Sequence, residues 1–321
     1  MSEPLNQSLV WDVLRVTEVA AIEAAKLRGR GDEMAADKAA VDAMRSELNG
    51  LDIDGRVVIG EGERDEAPML FIGEEIGTKK GPKVDIAVDP LEGTTLCAKS
   101  MPNSLAVLAM AEGGSLLHAP DIYMEKIAIG PGFEPGLVSL EQSPTENVKA
   151  LANAKNVSVN DLTVCILDRS RHGKLIEEVR EAGAAVKLIG DGDIAGVIQT
   201  TDSAETGIDM YMGVGGAPEG VLAASALRSI GGQMEGRLTP LHESHYERAA
   251  KVGIEDLSKI YSIADMVKGD VIFAATGVTT GQMLDGVRRD GDMIETETLI
   301  MHVSTGSVRW VKTQKQVNGE A

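Results

Sequence analysis

The run Val84-Asp-Ile-Ala-Val-Asp-Pro-Leu-Glu-Gly-Thr-Thr95 constrains this chain more than any other segment. Its β-branched, alternating opening predicts a strand over 84–88. Asp89 stands where that strand is expected to stop, Pro90 removes a ladder donor, and Gly93 permits a tight turn. Glu92 and Thr94 are therefore expected to project from one corner beside Asp89. Carboxylates and hydroxyls concentrated in this way suit Mg²⁺ or Mn²⁺, which take oxygen ligands and leave positions for water and phosphate. Taken alone, the hexapeptide also fits a polar turn that caps a helix start.

Composition narrows what such a corner can serve. With 321 residues the chain can bury a full core, and its length favours two domains. A formal charge of −19 argues against nucleic-acid backbones or anionic membranes as the main partner. A small anionic substrate is compatible only where metal ions or local Arg and Lys offset the repulsion. The two cysteines, Cys97 and Cys165, form neither a disulfide framework nor a zinc cluster. The first residues lack a basic region followed by an apolar run, and no apolar stretch has spanning length, so a cytoplasmic protein is expected.

The first half reads as α+β. Helices are predicted over 8–27 and 33–48, and a short strand over 56–60 opens into the acidic segment 61–66. Further strands are expected near 84–89, 104–111 and 124–129. Ser143-Pro-Thr-Glu146 offers a capping box with Pro144 at the first helical position. From Thr163 the pattern alternates. Strands 163–168, 185–190 and 207–213 are followed by helices near 172–182, 193–200 and 218–230, which predicts a parallel sheet with functional loops at the strand carboxyl ends. Strands at 270–276 and 294–303, separated by a helix near 280–289, complete the reading. The expected domains are a metal-binding α+β half, 1–158, and an α/β substrate half, 159–321, with the final strands able to pack back on the first half.

Several loops carry candidate chemistry. Asp37 lies in an alanine-rich helix where a lone carboxylate needs a partner; Arg30 or Lys38 would serve as well as a ligand. Glu61 and Glu63 alternate with Gly60 and Gly62, which would let the backbone approach a ligand, although a solvated acidic loop fits equally. In Asp168-Arg-Ser-Arg-His172, two arginines one residue apart can fork onto phosphate oxygens or form surface ion pairs. Asp191 and Asp193 can accept sugar hydroxyl protons or cap the next helix. The loop 213–220 opens a helix and can turn N–H groups toward an anion, but Pro218 breaks a dinucleotide fingerprint. The five histidines lack metal-ligand spacing and read as surface or packing residues. Tyr123 fits either core packing or a contact to a sugar phosphate.

The segment Asp89-Pro-Leu-Glu-Gly-Thr94 resembles the Asp-Pro-x-Asp-Gly-Thr metal motif of the inositol monophosphatase and fructose bisphosphatase superfamily, with Glu92 in the second acidic place. The fuller set resembles the class II fructose-1,6-bisphosphatases of GlpX type. It comprises Arg15-Val-Thr-Glu18, Gly29-Arg-Gly-Asp32, Val58-Ile-Gly-Glu-Gly-Glu63, Asp65-Glu-Ala-Pro-Met69, Asp85-Ile-Ala-Val-Asp89, Ala119-Pro-Asp-Ile-Tyr-Met124, Arg171-His172, Asp191-Gly-Asp193, Gly215-Gly-Ala-Pro-Glu-Gly220 and Ala275-Thr-Gly277. These segments follow the family's order over nearly the whole chain.

The resemblance implies a sugar-phosphatase fold of layered sheets and helices, with the active site between the two halves. It implies a phosphoric monoester hydrolase that converts fructose 1,6-bisphosphate to fructose 6-phosphate and phosphate, with Mn²⁺ or Mg²⁺ in a two-metal site. The implied metal ligands are Asp37, Glu61, Asp89, Glu92 and Glu219, and the catalytic roles fall on Thr94, Glu61 and Asp89. Substrate contacts fall on Glu92, Gly93, Thr94, Tyr123, Arg169, Ser170, Arg171, Asp191, Gly192, Asp193 and Gly216. Two positions depart from some relatives: Glu33 stands where they have Lys, and Arg169-Ser170 replaces a Lys-Pro pair. Sedoheptulose 1,7-bisphosphate or another sugar or inositol phosphate is the rival substrate, and a non-catalytic sugar-phosphate sensor the rival class. The expected partners are a small sugar bisphosphate and further copies in a homo-oligomer, dimer or tetramer, with neither nucleic acid nor membrane.

Overall fold

The computed structural model describes residues 5–62 and 69–316; Glu63 and positions 65–68 of the quoted motifs lie outside them. In chain order the elements begin with helices α1 Ser8–Ala25 and α2 Glu33–Asn49, then strands β1 Asp54–Ile59, β2 Glu75–Ile76 and β3 Lys83–Glu92, the short helix α3 Thr94–Ala98, and β4 Leu105–Glu112. There follow β5 Tyr123–Ile129, α4 Pro144–Lys155, β6 Thr163–Leu167, α5 Gly173–Glu181, β7 Ala185–Ile189, α6 Asp193–Ile198, α7 Ser203–Thr206, β8 Met210–Gly216 and α8 Ala217–Ile230. The last elements are β9 Gln233–Thr239, α9 Glu243–Lys251, β10 Ile260–Ser262, α10 Ile263–Met266, β11 Val271–Gly277, β12 Arg288–Asp290, β13 Met293–His302 and β14 Ser307–Gln316.

Two compact units result: Met1–Leu116 with Lys268–Ala321, and Leu117–Val267. A cut at 158/159 therefore falls inside the second unit. The reason is pairing and packing: β5 pairs with β8 and β9, and Val148 and Leu151 of α4 share a core with Val164 and Ile166 of β6.

The first unit holds a mixed eight-stranded sheet, ordered β12-β13-β11-β4-β3-β1-β2, with β14 on β13. Val13, Val16, Ala20 and Ala24 recur at helical spacing on α1 and are fully buried, in one core with Ile86 and Val88 of β3 and Leu108 of β4. Asp32 caps α2 by accepting the Ala35 N–H at 2.9 Å. No helix forms near 280–289. There two backbone donors are taken by side chains elsewhere in the unit, the Gln282 N–H by Asn103 Oδ1 and the Asp285 N–H by Glu297 Oε2, and the segment closes into β12.

The second unit holds a six-stranded sheet, ordered β10-β9-β5-β8-β6-β7. Strands β7, β6 and β8 are parallel, as the alternation predicts, but β8-β5-β9-β10 is antiparallel, so this sheet too is mixed. The capping box forms as expected, with Ser143 and Glu146 bonded reciprocally and Pro144 opening α4. Among the described residues, no helix is long and apolar enough to cross a membrane.

Candidate active site

In the first unit the candidate corner lies at the end of β3, but Pro90 does not end the strand. Pairing with β4 continues from Asp89 opposite Val107 to Glu92 opposite Leu105, three steps on β3 against two on β4. The extra residue is a bulge, and Pro90 sits within it, where no ladder donor is required. The bulge has a chemical consequence. Residues three apart on a regular strand face opposite sides, but the bulge restores parity, so Asp89 and Glu92 share the face of Val107 and Leu105. Ile86 and Val88 face the helix-covered core instead.

Glu92 is 4% exposed, and its carbonyl accepts the Ser104 hydroxyl at 2.9 Å. Gly93 follows with φ +74°, which turns the chain into α3 and leaves Thr94 half-buried as its first residue.

Asp37 is half-buried on α2, and burial raises its carboxyl above the ordinary value. Neither neighbour considered as its partner is bonded to it: Lys38 pairs with Asp42, and the Arg30 Nε donates to the Lys26 carbonyl. Glu61 follows β1, and its N–H donates to the Leu70 carbonyl at 3.0 Å. The closeness at Gly60 serves that contact, since a Cβ there would lie 2.0 Å from the Leu70 oxygen.

The second unit presents its candidates where β6, β7 and β8 end. Arg169 donates to the carbonyls of Asp168 and Gly190, and its Nη2 lies 3.6 Å from Asp191 Oδ1. Ser170 opens the single 3₁₀ turn that carries Arg171. Arg171 donates through Nε and Nη2 to the Val214 carbonyl, at 3.1 and 2.6 Å, and its guanidinium lies 4.9 Å from the Tyr123 ring centroid. Tyr123 is half-buried and so is not a core residue; its other ring neighbour is His245, with centroids 6.0 Å apart.

Asp193 neither caps a helix nor stands open to solvent on both oxygens. Gly192, with φ +83°, takes the cap position of α6, and Asp193 Oδ2 forms a buried ion pair with Lys126 Nζ. The same Nζ donates to the Gly216 carbonyl at 2.8 Å. In the loop 213–220, the N–H of Ala217 is already given to the Ile122 carbonyl.

Glu219 lies in the first turn of α8, and its Oε2 is enclosed with no hydrogen-bond partner, although part of the residue reaches the surface. Burial raises its carboxyl to about 7, with the Asp193 charge adding to the shift and Lys126 opposing it. At Gly216 a Cβ would stand 1.8 Å from Glu219 Oε2, so a side chain there would displace the Glu219 carboxylate.

Two site-lining residues escape the sequence reading. Lys126 is 1% exposed and falls on the same face of β5 as the fully buried Met124 and Ala128. A lysine in an apolar, period-2 position is the signal that pointed to it. His172, expected at the surface or in packing, is 2% exposed, and no spacing rule marks it for the site.

Among the described residues, no three His, Cys, Asp or Glu side chains gather as a metal cage. The enclosed, unbonded Oε2 of Glu219 is nonetheless a carboxylate oxygen of the kind a hard divalent cation takes.

The sequence pattern of a family described as bacterial fructose-1,6-bisphosphatase, glpX-encoded, matches residues 7–315. A D-fructose 1,6-bisphosphatase class 2/sedoheptulose 1,7-bisphosphatase of Prochlorococcus marinus (strain MIT 9515) is 43% identical over 329 residues, 98% of each chain. A protein of the same description from Synechococcus sp. (strain JA-2-3B'a(2-13)) is 44% identical over 342 residues, again 98% of each.

Proposed function

The chain belongs to the class II, GlpX-type fructose-1,6-bisphosphatase family, and on that premise we propose how its residues divide the hydrolysis of fructose 1,6-bisphosphate to fructose 6-phosphate and phosphate. Phosphatases of this family are metal-dependent. Asp37, Glu61, Asp89, Glu92 and Glu219 are the proposed ligands of two Mn²⁺ or Mg²⁺ ions. Such ions, when bound, polarise the scissile phosphate, lower the pKa of a water and stabilise the leaving alkoxide.

The observation that carries this reading is the β3 bulge, which turns Asp89 and Glu92 to one face. Thr94, next to them in sequence, orients the attacking water through its hydroxyl; its own pKa makes it a poor base, so Glu61 and Asp89 share the handling of the proton. Arg169 and Arg171 hold the phosphate that does not react, and Tyr123, Asp191 and Asp193 hold the sugar. Binding energy from that remote end positions the reacting end. Arg171 is suited to the task because the Val214 carbonyl and the Tyr123 ring fix its guanidinium beforehand.

Sedoheptulose 1,7-bisphosphate is a second proposed substrate, favoured by the double activity in the names of both relatives. A homo-oligomer in the cytoplasm completes the reading.

Steady-state kinetics test the division of labour. Thr94→Ala lowers kcat with KM little changed. Arg171→Ala raises KM for fructose 1,6-bisphosphate about tenfold or more, the loss of one charge-assisted contact, and leaves KM for fructose 1-phosphate nearly unchanged. Equal effects of Arg171→Ala on both substrates would make the arginine structural.

A further inference from the structure

The antiparallel pairing of β8 with β5 runs on to Gly216 opposite Tyr123, but its parallel pairing with β6 stops at Tyr211 opposite Cys165. Beyond Tyr211, the β6-facing side of β8 has lost its ladder. Val214 lies in this stretch, and both of its backbone groups are bonded by side chains from the turn that follows β6. Its carbonyl accepts Arg171 Nε and Nη2, and its N–H donates to His172 Nε2 at 2.8 Å. The other ring nitrogen of His172, Nδ1, donates to the Leu167 carbonyl at 2.7 Å.

These two bonds fix the imidazole as the neutral tautomer with its proton on Nδ1. The fit is close: at Gly213, where φ is +149°, a Cβ would lie 3.3 Å from the His172 ring. His172 thus ties the end of β6 to Val214, the residue whose carbonyl aims Arg171. Burial, together with the charges of Arg171 and Arg169, holds the imidazole below its ordinary pKa against the Leu167 hydrogen bond, so the neutral form persists.

We propose that His172 is a positioning residue for the remote-phosphate clamp: by accepting the Val214 N–H it holds the Val214 carbonyl where Arg171 is preorganised. This inference rests on the assignment of Arg171 to the non-reacting phosphate. An imidazole in this place does what a continuing strand would do, while Arg171 stays exposed and keeps Nη1, which the Val214 carbonyl does not engage, for a ligand.

Two substitutions separate the two bonds of the ring. In His172→Gln, the side-chain amide reaches the Nε2 position and can still accept from Val214. In His172→Asn, it reaches only the Nδ1 position and keeps the Leu167 bond alone. The measurement is KM and kcat for fructose 1,6-bisphosphate and for fructose 1-phosphate in both variants, in Arg171→Ala, and in His172→Asn/Arg171→Ala, with circular dichroism to check each fold. His172→Asn is expected to raise KM for the bisphosphate about five- to tenfold, with kcat and the KM for fructose 1-phosphate little changed. His172→Gln is expected to stay within about twofold of wild type. In the Arg171→Ala background, His172→Asn is expected to add no further rise, because the two act through one contact.

Folded His172→Asn with unchanged bisphosphate KM overturns this inference alone, provided Arg171→Ala raises it. Additive effects of the two substitutions, or equal effects of Asn and Gln, likewise reduce His172 to a packing residue. An unchanged bisphosphate KM in Arg171→Ala overturns the clamp itself, and this inference with it.

Discussion

A carboxylate oxygen shut away from water without a hydrogen bond, as in Glu219, is costly unless a cation compensates it. Lys126 is near enough to oppose the rise in the Glu219 pKa, yet its ammonium is bonded to Asp193 and the Gly216 carbonyl. A metal ion is the compensation proposed. Glu219→Gln should therefore weaken Mn²⁺ binding, measured by calorimetry, and cut turnover while the fold is kept. Gly216→Ala should act in the same direction, because the new methyl meets the flexible end of Glu219 and displaces its carboxylate, not the backbone. Wild-type Mn²⁺ affinity in Glu219→Gln would leave Glu219 as a helix-start carboxylate and nothing more.

The elements carry the local signals faithfully where those signals were local. Ser143 and Glu146 close their capping box, and hydrogen bonds first from the Ser143 N–H and then from its hydroxyl hold the Glu146 carboxyl below its ordinary 4.5. A depressed folded pKa means that this contribution is complete above the ordinary carboxylate range and is lost as pH falls through the folded value. Ser143→Ala should lower the thermal midpoint at neutral pH by about 2 °C, and the gap to wild type should narrow below about pH 4. A gap that is constant with pH would show that the carboxyl takes no part.

Other elements were not legible, for reasons that lie between strands. Pro90 reads as a strand end, and only the register against β4 shows it to be a bulge. Strand β14 is polar and largely exposed, so no alternation marks it, and it exists because β13 offers ten partners. The alternation from Thr163 fixed the parallel β7-β6-β8 core of the second sheet but carried no information on β5 and β9, which join it from both sides of that stretch in sequence. Among the candidate site residues, the arginines and carboxylates stood out by type and spacing. His172 did not, because its role depends on where the pairing of β6 and β8 stops.

For the whole molecule, the constraint is charge. A chain with a formal charge of −19 that hydrolyses a bisphosphate must offset repulsion where the substrate binds. Arg169 and Arg171, the proposed clamp, would supply two cations, and the carboxylates proposed as ligands add to the problem unless ions neutralise them. Metal dependence, a family property, fits that charge distribution. The most direct measurement is phosphate release from fructose 1,6-bisphosphate by protein stripped with a chelator and then dialysed, assayed without metal and with Mn²⁺ or Mg²⁺ added separately. No turnover is expected in the stripped protein, with recovery when at least one of the two ions is restored. Undiminished turnover in the metal-free protein would rule out metal-dependent hydrolysis.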